Sequence, residues 1–398
     1  MPSVVVVDAV RSPVGKRNGG LATMHAADLF GQVLAEVVAR SGIDPDVVEQ
    51  VIGGCVSQVG MQGFNVTRTA ALVGGLSLST GATTVDAQCG SAQQAFALAA
   101  GLVAAGTVDV AIAGGVEVMS AVPMGSSLGK GLGKGIPKSY FDKLTFTTQF
   151  QGAELIARKW GLTRDDLDAF GLRSQQRAAE AWAQGRFDGQ ILPVDAPDIG
   201  EDGKPTGTTH RVERDECLRE TDREALAGLR PVVGPDDRVI GPEPGLHTAG
   251  TSSQISDGAS AVLLMSEAAA QKLGVTPRAR VVDSCLVGSD PVLMLTGPID
   301  ATHRLLGRTG LSMDDIGVVE INEAFASVVL AWQRKVKAPD EIVNPNGGAI
   351  ALGHPLGATG GVLVTKALDE MELRGSRYAL VTMCCGGGLG TGTILAAP

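Results

Sequence analysis

The chain has 398 residues, 44% hydrophobic and 19% charged, with a formal net charge of −10. That length predicts two or three domains, or one large double domain, and the composition excludes a disordered chain. The acidic balance argues against nucleic acid as a partner, because nonspecific affinity for it comes from Lys and Arg; a local basic patch for an anionic small molecule stays open.

In chain order, residues 4–7 are a β-branched run and predict a buried strand. Residues 11–20 carry Pro13, Gly15, Gly19 and Gly20 and predict a loop. A helix is expected over 26–40, with Leu29, Val33, Leu34 and Val37 on one face, then a strand at 51–55 and a short helix at 66–72. Residues 83–87 predict a strand that stops at Cys89. The following stretch, 90–105, is apolar almost all round and predicts a buried helix. Cys89 is therefore expected at a helix N-terminus, where the dipole and free N–H groups lower a thiol's pKa. A small cysteine packed in the core is the plainer alternative. Residues 108–113 predict a buried strand ending at Gly114-Gly115.

From 120 to 244 the character changes, and this segment reads as an inserted subdomain. Its 125–143 stretch holds Lys130, Lys134, Lys138 and Lys143, most simply a solvated loop, with a phosphate or oligomer contact as the alternative. Helices are expected over 153–160 and 164–184, and a loop over 195–222. Small residues return at 247–259. There follow a strand at 261–265, a helix at 267–273, a strand at 280–285, a helix at 299–309 and a strand at 317–321. That strand ends at Asn322-Glu-Ala-Phe, which opens a helix through Trp332. A glycine-rich turn, 344–360, then holds His354, with Pro355 expected at a first helical position. The helix 362–373 and the strand 378–383 lead into Cys384-Cys-Gly-Gly-Gly. Cys89, a helix, a strand and Gly114-Gly115 in the first half echo His354, a helix, a strand and Gly386-Gly-Gly in the second. The segments 4–7 and 280–285 are candidate matching first strands. The expectation is two similar α/β halves with mainly parallel sheets covered on both faces.

Six cysteines are present, Cys55, Cys89, Cys217, Cys285, Cys384 and Cys385. None forms a Cys-x-x-Cys pair, so no zinc site is expected. The chain opens on Met-Pro-Ser-Val-Val-Val-Val-Asp without a basic leader, and no apolar run reaches the roughly 18 residues of a membrane span. A reducing, cytoplasmic setting is expected. Cys89, Asn322, His354 and Cys384 all follow expected strands, where catalytic groups of α/β sheets gather. A thiol with a histidine suits covalent acyl transfer. A second thiol suits proton exchange at the carbon next to a carbonyl, needed when a carbon–carbon bond is made or broken there. Gly386 can offer its N–H to an oxyanion without side-chain obstruction.

With these motifs assembled, the chain resembles the thiolases from end to end. Asn322-Glu-Ala-Phe, Gly353-His-Pro-Leu-Gly-Ala-Thr-Gly and Cys384-x-Gly-Gly-Gly match three C-terminal signatures, and Cys89-Gly-Ser and Gly114-Gly-Val-Glu-Val-Met-Ser match N-terminal ones. It looks most like thiolases of lipid or steroid breakdown in actinobacteria. The resemblance implies a five-layer αβαβα fold, with one half from 1–119 plus 245–272, a CoA-binding loop subdomain from 120–244, and a second half from 273–398. It implies thiolytic cleavage of 3-ketoacyl-CoA through an acyl-Cys89 intermediate, with His354 taking the thiol proton and Cys384 as acid/base. His354 and Asn322, through water, would form one oxyanion hole, and the N–H groups of Cys89 and Gly386 the other. Ser253, Arg219, Ala249 and Phe325 match positions that contact CoA or wall its pocket. Coenzyme A is a substrate and no cofactor is implied; the oligomer implied is a homodimer or homotetramer. Alternatives are a biosynthetic acetoacetyl-CoA-forming thiolase, a ketoacyl synthase, and a non-catalytic lipid- or CoA-binding relative. The sequence departs from the family at Asp86, at Ala92 and at Thr148-Gln149-Phe150, the last bearing on chain-length preference.

Overall fold

The structure is a computed structural model that describes residues 3–128, 131, 133–200 and 204–398. Lys130, in the lysine-bearing loop, lies outside the described residues. The strands are β1 (Val4–Arg11), β2 (Gly15–Lys16), β3 (Gln50–Gly54), β4 (Gly81–Val85), β5 (Val110–Val118), β6 (Val194–Ile199), β7 (Pro205–Val212), β8 (Ser256–Ser266), β9 (Ala279–Gly288), β10 (Val318–Ile321), β11 (Tyr378–Cys385) and β12 (Leu389–Ala396). Ten of them join in one sheet in the order β10-β11-β12-β9-β1-β8-β5-β3-β4, with β2 on β8, while β6 and β7 form a hairpin of their own.

The sheet is two matching halves joined at β1 and β9, which pair antiparallel at Val5–Arg280 and Val6–Ala279. Moving outward, β8, β5 and β3 on one side correspond to β12, β11 and β10 on the other. A parallel bridge between Val319 and Val343 stands where β4 stands in the first half. The sheet is mixed, but among the strands described above parallel pairing is confined to β3–β4, β3–β5 and β10–β11. The expected predominance of parallel pairs therefore holds only toward the outer strands. For β11 and β12 the reason is local: they are joined by the short Gly386–Gly388 turn, and so short a link can only return antiparallel.

β1 shows why the fold is layered. Val5, Val7 and Val10 enter one buried cluster with the helix Ala26–Ser41, and Val4, Val6 and Ala9 enter another. A strand buried on both faces needs cover on both. The second cluster is the middle layer: the helices Ser91–Ala104 and Thr359–Arg374 lie between the two half-sheets. On the far face of the second half, the helices Gly297–Thr309 and Ala326–Val336 close the stack. Five αβαβα layers result.

Some elements differ from expectation. β5 runs through Gly114 and Gly115 to Val118 instead of ending there. A side chain at Gly115 would overlap the carbonyls of Gly357 and Gly54, so glycine here permits two backbones to touch. The 195–222 stretch contains the β6–β7 hairpin, its alternation masked by charge and proline. β12 had no expected counterpart, because its Gly-Thr-Gly-Thr start carries a weak apolar signal.

The central helix Thr359–Arg374 buries a charge. Lys366 donates to Glu320 at 2.7 Å and to the Gly347 carbonyl at 2.6 Å, and both ionic side chains are about fully enclosed. Burial raises the Glu320 carboxyl to about 7, against the pull of Lys366. Removing one member of such a pair strands the other. Lys366→Met should cost about 3 kcal/mol or more in denaturant unfolding, and the double variant with Glu320→Leu should recover most of it. A single variant with an unchanged midpoint would contradict this.

Candidate active site

Cys89 sits in a tight turn between β4 and the helix Ser91–Ala104. Gln88 before it adopts a left-handed φ of 53°, a conformation that costs a non-glycine residue of order 1 kcal/mol. Asp86 holds that turn by accepting the Gln88 N–H at 2.7 Å, an acceptor role an asparagine oxygen would serve equally. Ser91 clasps it from the other side, donating to the Gln88 carbonyl at 2.6 Å. Ala92 is buried beneath Gly54, where only glycine leaves room for its backbone.

The expectation of a thiol acidified by its helix is not met. The helix is capped by Gly90, so the sulfur lies before its first turn. Burial pushes the Cys89 thiol up to about 11, although the N–H groups of Gly386 and of Cys89 itself pull it back down. The Gly386 contact carries the site's geometry: the turn after β11 reaches the sulfur of a residue from the other half. Gly387 and Gly388 in that turn adopt φ of 78° and 79°, which favour glycine. Cys384 is fully buried on β11, and burial followed by the charge of Cys89 raises its thiol well above the ordinary value.

His354 lies in the equivalent turn of the second half. Its helix begins at Thr359 and is capped by Ala358, so Pro355 is outside the first helical position expected for it. The Pro355 carbonyl instead accepts the N–H groups of Ala358 and Thr359 and starts the turn. The His354 N–H donates to Ser256 Oγ at 3.1 Å. Thr359 Oγ1 gives its hydrogen to the Pro355 carbonyl at 2.8 Å and lies 2.7 Å from His354 Nδ1. With that hydroxyl hydrogen engaged, Nδ1 must be the donor and Nε2 carries the lone pair. Asn322 Nδ2 lies 3.3 Å from Nε2. Asn322 itself is anchored by its N–H to the Thr382 carbonyl on β11, and its buried Oδ1 has no protein partner among the described residues. Burial lowers His354 to about 4. At rest the thiol and the imidazole are both neutral.

Glu117 on β5 ties the histidine turn to the segment that follows β3. Its buried carboxylate accepts from the N–H groups of Val56, Ser57 and Gly357 and from Gln62 Nε2, at 2.8–3.1 Å. Gly360 meets the backbone of Gln93, so the start of one central helix lies on the start of the other. Cys89, Gly386 and Cys384 form one group and Asn322 and His354 another, on turns joined by the contacts of Gly357 with Gly54 and of Gly360 with Gln93.

The other candidates fall into two pairs on the 247–254 loop. The Ser253 N–H donates to the Ala324 carbonyl at 2.9 Å, next to buried Phe325. Arg219 Nη2 donates to the carbonyl of exposed Ala249 at 3.1 Å. Among the described residues no bond ties the Arg219–Ala249 pair directly to the thiols. Arg219 reaches Ile350, just before the histidine turn, through Gln175, which accepts the Arg219 N–H and donates to the Ile350 carbonyl, and Gln254 of the loop donates to the Cys217 and Ile350 carbonyls. The altered 148–150 segment caps the helix Gln149–Lys159 through Thr148 and Gln151 and sets Phe150 edge to face on Phe325, centroids 5.5 Å apart. Both rings pack in the apolar cluster that contains Cys384. Sequence reasoning missed Thr359, Ser256 and Glu117; Thr359 and Glu117 sit inside recognisable motifs, and only geometry gives them roles.

The comparisons with known proteins agree with this geometry. A family model described as the thiolase N-terminal domain matches residues 4–268, and one for the thiolase C-terminal domain matches residues 275–397. A steroid 3-ketoacyl-CoA thiolase of Mycobacterium tuberculosis is 46% identical, covering 99% of this chain and 94% of its own. The 3-ketoacyl-CoA thiolases of Vibrio vulnificus and Aliivibrio fischeri are 41% and 42% identical, with both chains covered in full. These matches define the chain as an acyltransferase. It belongs to the thiolase family.

Two outcomes follow from the histidine. Thr359→Val removes the acceptor for Nδ1–H and frees the tautomer, so acylation of Cys89 should slow by about tenfold or more, the scale of one lost hydrogen bond, with Thr359→Ser retaining the rate. Because burial favours neutral His354, acylation should be flat with pH through the ordinary imidazole range near 6.5 and fall only as pH drops toward about 4. A rapid-mixing profile with its acid limb near 6.5 would refute a buried neutral base.

Proposed function

We propose that this chain cleaves 3-ketoacyl-CoA thioesters with CoA, giving acetyl-CoA and a shortened acyl-CoA, by a reversible Claisen step. The Cys89 sulfur attacks the 3-keto carbon and His354 Nε2 takes its proton. The developing oxyanion meets the N–H groups at one end of the site, Cys89 and Gly386, or Nε2–H and the Asn322-held water at the other. The bond between C2 and C3 then breaks, and Cys384 gives its proton to the acetyl-CoA enolate. In the second half, CoA's thiol gives its proton to the Cys384 thiolate and attacks the acyl-Cys89 thioester. The departing Cys89 sulfur recovers its proton from His354. The observation that best supports the reading is the Gly386 N–H on the Cys89 sulfur with Cys384 two residues before it, since acyl transfer alone has no use for a second buried thiol.

Segment 120–244, with Arg219, and the 247–254 loop, with Ala249 and Ser253, are proposed to carry CoA, with Phe150 and Phe325 walling the acyl group. The likeness to both steroid and general 3-ketoacyl-CoA thiolases keeps ring-derived and linear acyl groups as candidate substrates. A homodimer is proposed through β4, which among the described residues pairs only with β3 and lies near exposed Phe64, Leu78 and Leu98. The six cysteines, all free thiols, suit a reducing cytoplasm. Among the described residues no helix is long and apolar enough to cross a membrane.

Cys384→Ala should lower thiolysis by about a hundredfold or more, the usual weight of a general acid, while mass spectrometry still finds an acyl group on Cys89 from acetyl-CoA. Full thiolysis by this variant, or no Cys89 adduct on the unaltered enzyme, would defeat the mechanism. A panel of short-chain, long-chain and steroid-derived esters reads the preference.

A further inference from the structure

Behind the apolar cluster around Cys384 lies one polar pair. Glu154 and His247 are 0% and 1% exposed. The carboxylate accepts the N–H groups of Leu246 and His247, each at 2.8 Å, and lies 3.1 Å from His247 Nδ1. A Cβ at Gly245 would stand 2.5 Å from Glu154 Oε1, so the chain entering the 247–254 loop is moulded on this carboxylate. The imidazole stands edge to face on Phe325, with centroids 5.5 Å apart and planes at 87°. Phe325 stands the same way on Phe150, at 82°. His247 Nε2 is buried and has no hydrogen-bond partner among the described residues.

An aliphatic side chain would fill this space without stranding a nitrogen, which costs about 1–3 kcal/mol. What an imidazole adds is orientation. A branched aliphatic presents no plane, whereas Glu154 fixes the plane of the imidazole, and the edge-to-face contact passes that orientation to Phe325. Local rules broken at such a cost concentrate at functional sites.

We propose that Glu154 and His247 are positioning residues that hold the Phe325 ring as a rigid wall of the acyl pocket and thereby limit the bulk of the acyl group accepted. The inference rests on the proposed thiolysis with Phe325 at that wall. Without the imidazole, the ring tilts into the vacated space and the pocket widens toward ring-bearing acyl groups.

The test compares kcat/KM of the full enzyme for a linear short-chain and a ring-bearing 3-ketoacyl-CoA, in His247→Val, His247→Gln and Phe325→Ala. His247→Val and Phe325→Ala should both shift the ratio toward the ring-bearing ester, by about tenfold, the scale of one or two methylenes in a pocket. His247→Gln, which retains a donor toward Glu154, should shift it less. If Phe325→Ala shifts the ratio while His247→Val slows both esters equally, His247 is merely structural and the inference fails, with the pocket wall intact. If Phe325→Ala leaves the ratio unchanged, the wall itself was misplaced. Should His247→Val not fold, Glu154→Gln, which keeps the shape and removes the charge, takes its place: a shifted ratio supports the inference and equal slowing of both esters overturns it.

Discussion

The site depends on one buried carboxylate. Glu117 accepts four hydrogen bonds from segments that the sequence places far apart: the turn after β3, Gln62, and Gly357 in the histidine turn. Burial raises its carboxyl above the ordinary value, and the ring of N–H donors opposes that rise. Around it the backbones of Gly54, Gly115 and Gly357 come close enough that no side chain fits. The two halves are thereby locked at the depth where Cys89 and His354 emerge. Because the lock is made of backbone contacts and a fully bonded anion, it leaves little freedom to misalign the reacting groups.

Enclosure also decides the chemistry. A cysteine at a helix start is ordinarily acidified, yet here the thiol is held up near 11 and the imidazole down near 4. A preformed thiolate–imidazolium pair is therefore disfavoured at rest. In the proposed mechanism the proton moves as the carbonyl is attacked, when the developing negative charge passes onto an oxygen that faces N–H donors. Such a site stays quiet without substrate and is strongest where charge appears.

Much of this was legible in the sequence. The strand ends that carry Cys89, Asn322, His354 and Cys384 were visible from β-branched runs stopping at glycine-rich turns, and the duplication from the order of those parts. Three things were not. The pairing direction of the middle strands is written in the pattern of neither partner: β5 and β8 pair antiparallel across a long excursion, and β11 and β12 do so across a short turn. The mid-strand glycines, Gly114 and Gly115, looked like a turn, because a sequence does not reveal that another backbone presses on them. The sign of the Cys89 shift required knowing that enclosure outweighs the helix end. Thr359 stands within the histidine motif, yet its role in fixing a tautomer is carried by where one hydroxyl hydrogen points.

The duplication has a consequence for how such a protein can change. The same junction, leading out of β5 in one half and out of β11 in the other, is a three-glycine corner in the second half and the long excursion before β8 in the first. Under the proposed reaction the corner is constrained, since its amide faces the sulfur. The excursion begins and ends on a rigid ladder, with β5 and β8 paired from Val110–Met265 to Val118–Asp257. A ladder that secures both ends lets the intervening chain lengthen, shorten or be exchanged while the reacting atoms stay fixed. Selectivity can then diverge among descendants of one ancestor without the bond-breaking apparatus being rebuilt.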